Sequence, residues 1–129
     1  MNNKALDCVI KSENGITVAG VTGRIDGLSA HDFEGRLLEL IAGGVKYLVL
    51  NFETVEYISS AGLRCLLVVA KMLKNKKGLF AVCNLNTTVK EIFEMVNFDE
   101  IARVFKSEKE AVDEYSKFLE KPMNDWWVK

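Results

Sequence analysis

The fold is decided by the stretch FETVEYISSAGLR, residues 52–64, because it joins the most strand-like run of the chain to the most helix-like one. Upstream, YLVLNF at residues 47–52 is an almost unbroken apolar run, which is typical of a strand covered on both faces. Downstream, apolar residues recur at helical spacing, namely Leu63, Leu66, Leu67, Ala70 and Leu73. We therefore expect Ser59 and Ser60 where a loop enters a helix, at the end with unsatisfied N–H groups and the positive pole of the helix dipole.

Two interpretations of Ser59 and Ser60 follow from this position. Serine is among the preferred N-cap residues, so spacing alone favours capping as the reason for the pair. The N-terminus of a helix is also a ready anion site, so a hydroxyl there can be phosphorylated without disrupting its own fold. The spacing leaves both interpretations open.

Length and composition indicate one domain with a conventional core. A chain of 129 residues can bury about 65–70% of its unfolded surface without disulfides or metals. With 49% hydrophobic residues, 27% charged residues and a net charge of −1, the chain lacks the basic excess of a nucleic-acid-binding protein. Direct binding of nucleic acid is therefore not expected.

The cysteines and the first residues indicate a compartment. Cys8, Cys65 and Cys83 lie in apolar runs without metal-like spacing, so we expect buried thiols in a reducing cytoplasm and no metal or other cofactor. Residues 1–7, MNNKALD, lack the apolar core of a signal peptide, and no run approaches the roughly eighteen apolar residues of a membrane span. The sequence therefore predicts a cytoplasmic protein without a membrane span.

Turn signals place the other elements. Asn14-Gly15 between two apolar runs predicts an opening β-hairpin. Gly43-Gly44 and Lys76-Lys77-Gly78 predict the ends of two helices. The apolar run LFAVC at residues 79–83 predicts a strand that follows the central helix through a parallel crossover.

Capping-box spacing predicts three further helix starts, from Ser29 with Asp32, Thr88 with Glu91, and Ser107 with Glu110. The first of these helices is expected to begin near Ala30, and Asn97 is expected to end the second in a left-handed conformation. A short edge strand is predicted at residues 102–105, before the last helix.

The stretch VEYISSAGLRCLL, residues 55–67, resembles the signature of STAS domains, and specifically of the bacterial anti-sigma-factor antagonists. In that family a serine or threonine opens a helix and is followed shortly by Gly-Leu. The order of elements over residues 5–118 is also similar to the STAS fold. The resemblance implies an α/β, STAS-like fold with a mixed central sheet of about five strands and about four helices, mostly packed on one side, followed by a C-terminal tail at 119–129.

The resemblance also implies site residues. Aligned on Gly62, it indicates Ser60 as the phosphoacceptor, and Ser59 stays as the alternative because it replaces the acidic neighbour that many members have. The segment GRID, residues 23–26, resembles the Gly-x-Leu-Asp segment with which these antagonists bind their partner. The implied partner-binding residues are Arg24, Asp26, Ser59, Ser60, Ala61, Gly62 and Arg64.

The family works by partner switching. An unmodified antagonist binds an anti-sigma factor that is also a GHKL-type serine kinase, and this releases a sigma factor. The kinase then phosphorylates the antagonist's serine and the complex separates, until a PP2C-type phosphatase restores the unmodified form. The resemblance thus implies a kinase substrate and binding module, not an enzyme. The main alternative is a STAS module that is not phosphorylated and acts as a structural subunit or small-ligand binder in a larger complex, with both serines as caps.

The predicted central helix carries a polar stripe. At about 100° per residue, Ser60, Arg64, Lys71 and Asn75 share one face. This stripe is either a solvated face or a partner-binding face, and Arg64, one turn beyond Ser60, is placed to meet an acidic group of a partner or a phosphate.

Two remaining features carry weaker predictions. A serine hydrolase is disfavoured, because the chain has no G-x-S-x-G elbow and its one histidine, His31, falls at a helix start where a surface position is expected. Trp126 and Trp127 have enough apolar area to dock on the domain or on a second copy, which makes a weak homodimer a further candidate.

Overall fold

The computed structural model describes residues 6–120 of the chain. The predictions for the first five residues and for Trp126 and Trp127 lie outside this range.

The described chain alternates strands and helices after an opening hairpin. The strands are β1 (Leu6–Glu13), β2 (Ile16–Ile25), β3 (Tyr47–Ile58), β4 (Leu79–Cys83) and β5 (Arg103–Phe105). The helices are α1 (Ala30–Ala42), α2 (Ser60–Asn75), α3 (Thr87–Met95) and α4 (Glu108–Glu120), with a 3-10 turn at Phe98–Glu100.

The strands form one mixed sheet in the order β1-β2-β3-β4-β5. Only β1 and β2 are antiparallel, while β3, β4 and β5 each lie parallel to the preceding strand in the sheet. The larger core cluster packs α1, α2 and α3 on one face of the sheet through residues such as Phe33, Leu66 and Phe93. The smaller cluster packs α4 on the opposite face through Ala111 and Tyr115. The expected α/β fold, a mixed sheet of five strands with helices mostly on one side, is confirmed.

Strand β3 is longer than the sequence pattern indicated. It runs through Ile58, paired with β2 as far as the Ile25 and Ile58 pair, so the expected loop before the serines is wrong. The strand continues because β2 extends equally far and supplies a parallel partner, and because Val55 and Ile58 are buried under the helices. Ser59 is therefore the one residue between a strand and a helix.

Two local predictions that depend on left-handed backbone are confirmed. Asn14 and Gly15 have φ angles of 56° and 83°, the pattern of a type I′ hairpin turn, which matches the right-handed twist of the two strands. Asn97 has φ 52° and ψ 47°, and it ends α3 as expected.

The capping boxes are confirmed only in part. Ser29 precedes α1 as expected, but its side chain forms no cap bond to the helix. Helix α3 is capped by Asn86, whose Oδ1 accepts from the Val89 amide at 2.7 Å, so the prediction of Thr88 as cap is wrong. The Ser107 hydroxyl accepts from the Glu110 amide at 3.1 Å, as expected of the third box.

The burial of each thiol depends on where its strand or helix lies in the fold. Cys65 and Cys83 are buried, and burial raises the pKa of each thiol to about 12. Cys8 is only half-buried because it lies on the edge strand β1, so the expectation of a buried thiol is wrong there. None of the helices within residues 6–120 is long and apolar enough to cross a bilayer.

Candidate phosphorylation and partner-binding site

The candidate site lies at the carboxyl ends of β2 and β3, where α2 begins. Arg24 pairs with Tyr57 and Ile25 with Ile58 in the parallel ladder. The Ser59 amide then donates a 2.8 Å hydrogen bond to the Ile25 carbonyl. The fold thus brings the two segments singled out in the sequence, residues 23–26 and 59–64, to one edge of the sheet.

The two serines have different environments. Ser59 has extended backbone, with φ −93° and ψ 177°, and its hydroxyl oxygen accepts from the Gly62 amide at 3.2 Å. Ser59 is therefore the N-cap of α2. Ser60 is the first residue of the helix, it is exposed, and its hydroxyl makes no hydrogen bond to any residue in the described range. The capping interpretation holds for Ser59, whereas the exposed hydroxyl of Ser60 takes no part in capping.

Gly62 allows the first turn of α2 to lie against both strand ends. A Cβ at this position would be 2.6 Å from Ile58 Cγ1 and 2.7 Å from Ile25 Cγ2. Both distances are far inside van der Waals contact, so the glycine is required for space. Ala61 beside it is half-buried and packs against the main core, which leaves Ser60 and Arg64 as the outward side chains of this turn.

The carboxylate of Asp26 forms hydrogen bonds within the turn between β2 and α1. Its Oδ1 accepts hydrogen bonds from the amides of Leu28 and Ser29, each at 3.0 Å. The Ser29 amide is the main reason that the pKa of the Asp26 carboxyl lies below its ordinary value. Arg24, two residues before Asp26, is exposed, and its guanidinium group stacks on the Tyr57 ring, 4.9 Å from the ring centroid.

Sequence reasoning missed the part that Ser29 plays here. Ser29 is only 5% exposed, its hydroxyl donates to the Arg24 carbonyl at 2.7 Å, and it accepts from the Asp26 amide at 3.0 Å. The three-residue spacing of Asp26 and Ser29 could have indicated this turn, but Ser29 was paired with Asp32 as a capping box instead. The closed turn holds Leu28 outward, 92% exposed.

The outer face of α2 carries the predicted polar stripe, whose members Ser60, Arg64, Lys71 and Asn75 are all exposed. Leu67, one of the apolar residues that recur at helical spacing, is 38% exposed. It lies seven residues after Ser60, nearly two full turns, and therefore faces the same way. Arg64 forms no ion pair with a residue of the range 6–120.

The comparisons with known proteins agree with this architecture. The family model of the STAS domain matches residues 7–111, and this chain belongs to the STAS-domain family. BtrV of Bordetella bronchiseptica, named as a proposed anti-sigma factor antagonist, is 35% identical over 98 residues, which cover 76% of this chain and 84% of BtrV.

Solved structures share the fold at lower identity. An anti-sigma factor antagonist from Mycobacterium paratuberculosis superposes with a TM-score of 0.78 at 21% identity, covering 84% of this chain and 92% of that one. The Bacillus cell fate determinant SpoIIAA in its phosphorylated form superposes with a TM-score of 0.66 at 18% identity, covering 84% of this chain and 99% of that one. At these identities the likeness establishes the fold.

Proposed function

We propose that this chain is an anti-sigma-factor antagonist that is switched by phosphorylation of Ser60. In its unmodified form it binds an anti-sigma factor that is also a GHKL-type serine kinase, and the bound sigma factor is released. The kinase then transfers the γ-phosphoryl group of ATP to Ser60 and the complex separates. A PP2C-type phosphatase hydrolyses the phosphoserine and restores the binding form. The chain itself is a substrate and a binding module in the cytoplasm.

The observation that carries the proposal is the difference between the two adjacent hydroxyls. The Ser59 hydroxyl oxygen is engaged by the Gly62 amide, whereas the exposed Ser60 hydroxyl has no bond within the described range. A kinase has to reach a hydroxyl that can enter its active site. This favours Ser60 as the acceptor, and the likeness to BtrV supports the antagonist role.

The position of Ser60 makes its phosphorylation compatible with the fold. Phosphate adds about −1.5 to −2 charges at neutral pH, and the N-terminus of a helix favours an anion. The first turn of α2 contains no acidic residue that would oppose the new charge. The modified protein therefore stays folded, while a partner surface that fits a neutral hydroxyl meets a dianion. Repulsion and the cost of desolvating the phosphate then weaken the complex.

Phosphorylation of two matched variants tests the proposal. Purified wild type, Ser60→Ala and Ser59→Ala are incubated with the kinase and ATP, and the modified peptide is mapped by mass spectrometry. Ser60→Ala should abolish the modification and leave stability nearly unchanged. Ser59→Ala should keep the modification but lose about 0.5–2 kcal/mol of unfolding free energy, because a cap is removed. Phosphate on Ser59, or none on the wild type, would contradict the proposal.

A further inference from the structure

An apolar groove runs along α2 from the candidate phosphorylation site. It lies between α2 and the segment from Val96 to Ile101, and its volume is about 320 Å³. Its apolar lining consists of Leu63, Leu67, Val96, Phe98 and Ile101. Ser60 and Arg64, both in the first turns of α2, line the same groove. The groove is therefore continuous with the hydroxyl that the proposed switch modifies.

The walls of the groove expose apolar surface on a fixed frame. Leu67, Val96 and Ile101 are 38%, 46% and 36% exposed, respectively, and all three line this one groove, so its walls leave apolar surface open to a partner. Phe98 anchors the far wall, because it is 1% exposed and its ring lies 4.4 Å from that of Phe93. A partner that enters the groove would meet walls that are already ordered.

Among the described residues, Arg64 is the one charged side chain that lines the groove. Arg64 pairs with no carboxylate in the described range, and its own helix, α2, contains no acidic residue. Asp99 and Glu100, although close in the chain, line neighbouring depressions instead of this groove. The complementary ligand is therefore apolar in the middle and acidic at its flank.

We propose that this groove is the docking site for an apolar segment of the anti-sigma kinase that carries a carboxylate for Arg64. The proposal rests on the proposed function and names the surface through which the switch acts. A phosphate on Ser60 would lie at the end of the groove, one turn from Arg64. There it would compete for the cation that the carboxylate of the kinase needs, so release follows from the loss of one specific ion pair as well as from general repulsion.

Two residues of α2 offer a matched test. Leu67 and Met72 are both 38% exposed, but only Leu67 lines the groove. Leu67→Asp and Met72→Asp add the same charge to the same helix, and binding of the purified GHKL-type kinase is measured by isothermal titration calorimetry. We expect Leu67→Asp to raise Kd by about tenfold or more and Met72→Asp by less than about twofold. Arg64→Gln should reduce the salt dependence of Kd.

The outcomes separate this inference from the proposed function. Wild-type binding and Ser60 phosphorylation with an unchanged Kd for Leu67→Asp would overturn the groove and leave the switch standing. Failure of the kinase to bind and phosphorylate the wild type would overturn both. A wild-type dimer in sedimentation equilibrium that Leu67→Asp dissociates, with unchanged kinase binding, would assign the groove to a second copy and overturn the proposal. If Leu67→Asp does not fold, Val96→Asp on the opposite wall takes its place, with the same expectations.

Discussion

The backbone amide of Ser59 donates a 2.8 Å hydrogen bond to the carbonyl oxygen of Ile25. This bond joins the start of α2 directly to the end of β2, so Ser60 and Arg24 lie on elements that are hydrogen-bonded to each other. The proposed binding surface is thus built on the rigid ends of two parallel strands, and changes in this joint should affect binding and stability together.

Gly62→Ala is expected to destabilise the protein by about 1–3 kcal/mol, because the new methyl group overlaps the side chains of Ile58 and Ile25. Gly35→Ala in α1 is the control. A Cβ there meets no heavy atom within 4 Å, and alanine should stabilise that helix by about 0.5–1 kcal/mol. Urea unfolding of the two variants measures both changes, and a neutral Gly62→Ala would mean that the first turn of α2 is free to move away from the strands.

Asp26 is expected to act through the shape of its turn. Asp26→Asn keeps the oxygen that accepts from the Leu28 and Ser29 amides, so kinase binding should stay within about twofold of wild type. Asp26→Ala removes the acceptor and should weaken binding more strongly than Asp26→Asn. If both variants lose binding equally, the negative charge that both of them lack is what interacts with the partner.

The loss of stability at low pH gives a second measurement on Asp26. Its folded-state pKa is lowered, so the ionised carboxylate stabilises the fold fully above the ordinary pKa that the carboxyl has in the unfolded state. That contribution is lost as the pH falls through the lower, folded-state pKa. Asp26→Asn should therefore show a shallower loss of stability than wild type below about pH 4. If wild type and Asp26→Asn lose stability identically at low pH, this carboxyl is not coupled to folding.

Arg64→Glu and Leu66→Ala should have opposite effects, although they are two residues apart on α2. Arg64 is exposed, so its reversal should change stability by less than about 0.5 kcal/mol and impair kinase binding. Leu66 is fully buried, and its truncation should cost about 2–5 kcal/mol. Thermal unfolding and titration of both variants check the pair, and unchanged melting of Leu66→Ala would contradict the assignment of the helix faces.

Truncation after Glu120 is expected to leave kinase binding and Ser60 phosphorylation intact, because the proposed site lies wholly within the STAS domain. This follows the predicted division of the chain into a STAS domain at 5–118 and a tail at 119–129. Self-association mediated by Trp126 and Trp127 would be lost. Loss of kinase binding on truncation would place those tryptophans in the functional interface.

The sequence predicted best the features that one or two residues determine locally. Asn14-Gly15 and Asn97 adopt left-handed backbone wherever they occur in such turns, and both predictions hold. The cap of α3 was missed because Asn86 is chosen by the tertiary structure. The side-chain Nδ2 of Asn86 also donates to the Val55 carbonyl of β3 at 3.0 Å, a contact that no local pattern reveals. The length of β3 was missed for the same kind of reason, since its second half is held by pairing with a strand far away in the chain.

The candidate site shows the same division. The position of Ser59 and Ser60 at the start of α2 was readable from the apolar pattern, but which hydroxyl is free depends on the cap geometry. The groove beside Ser60 was invisible, because it needs Leu67 from α2 to lie opposite Val96 and Ile101 from another part of the chain. The helical spacing contained one hint of the groove, since it puts Leu67 on the same exposed face as Ser60.

In the proposed switch, phosphate on Ser60 turns binding off without unfolding the domain. The most direct measurement compares the Kd of the purified kinase for the unmodified protein with its Kd for protein phosphorylated stoichiometrically on Ser60, at one salt concentration, with thermal unfolding of both forms. We expect Kd to rise by about tenfold or more and the melting temperature to stay equal or rise, because an anion at the helix N-terminus stabilises by about 0.3–1 kcal/mol. Equal Kd values for the two forms, or weaker binding explained by a fall in melting temperature, would contradict this account.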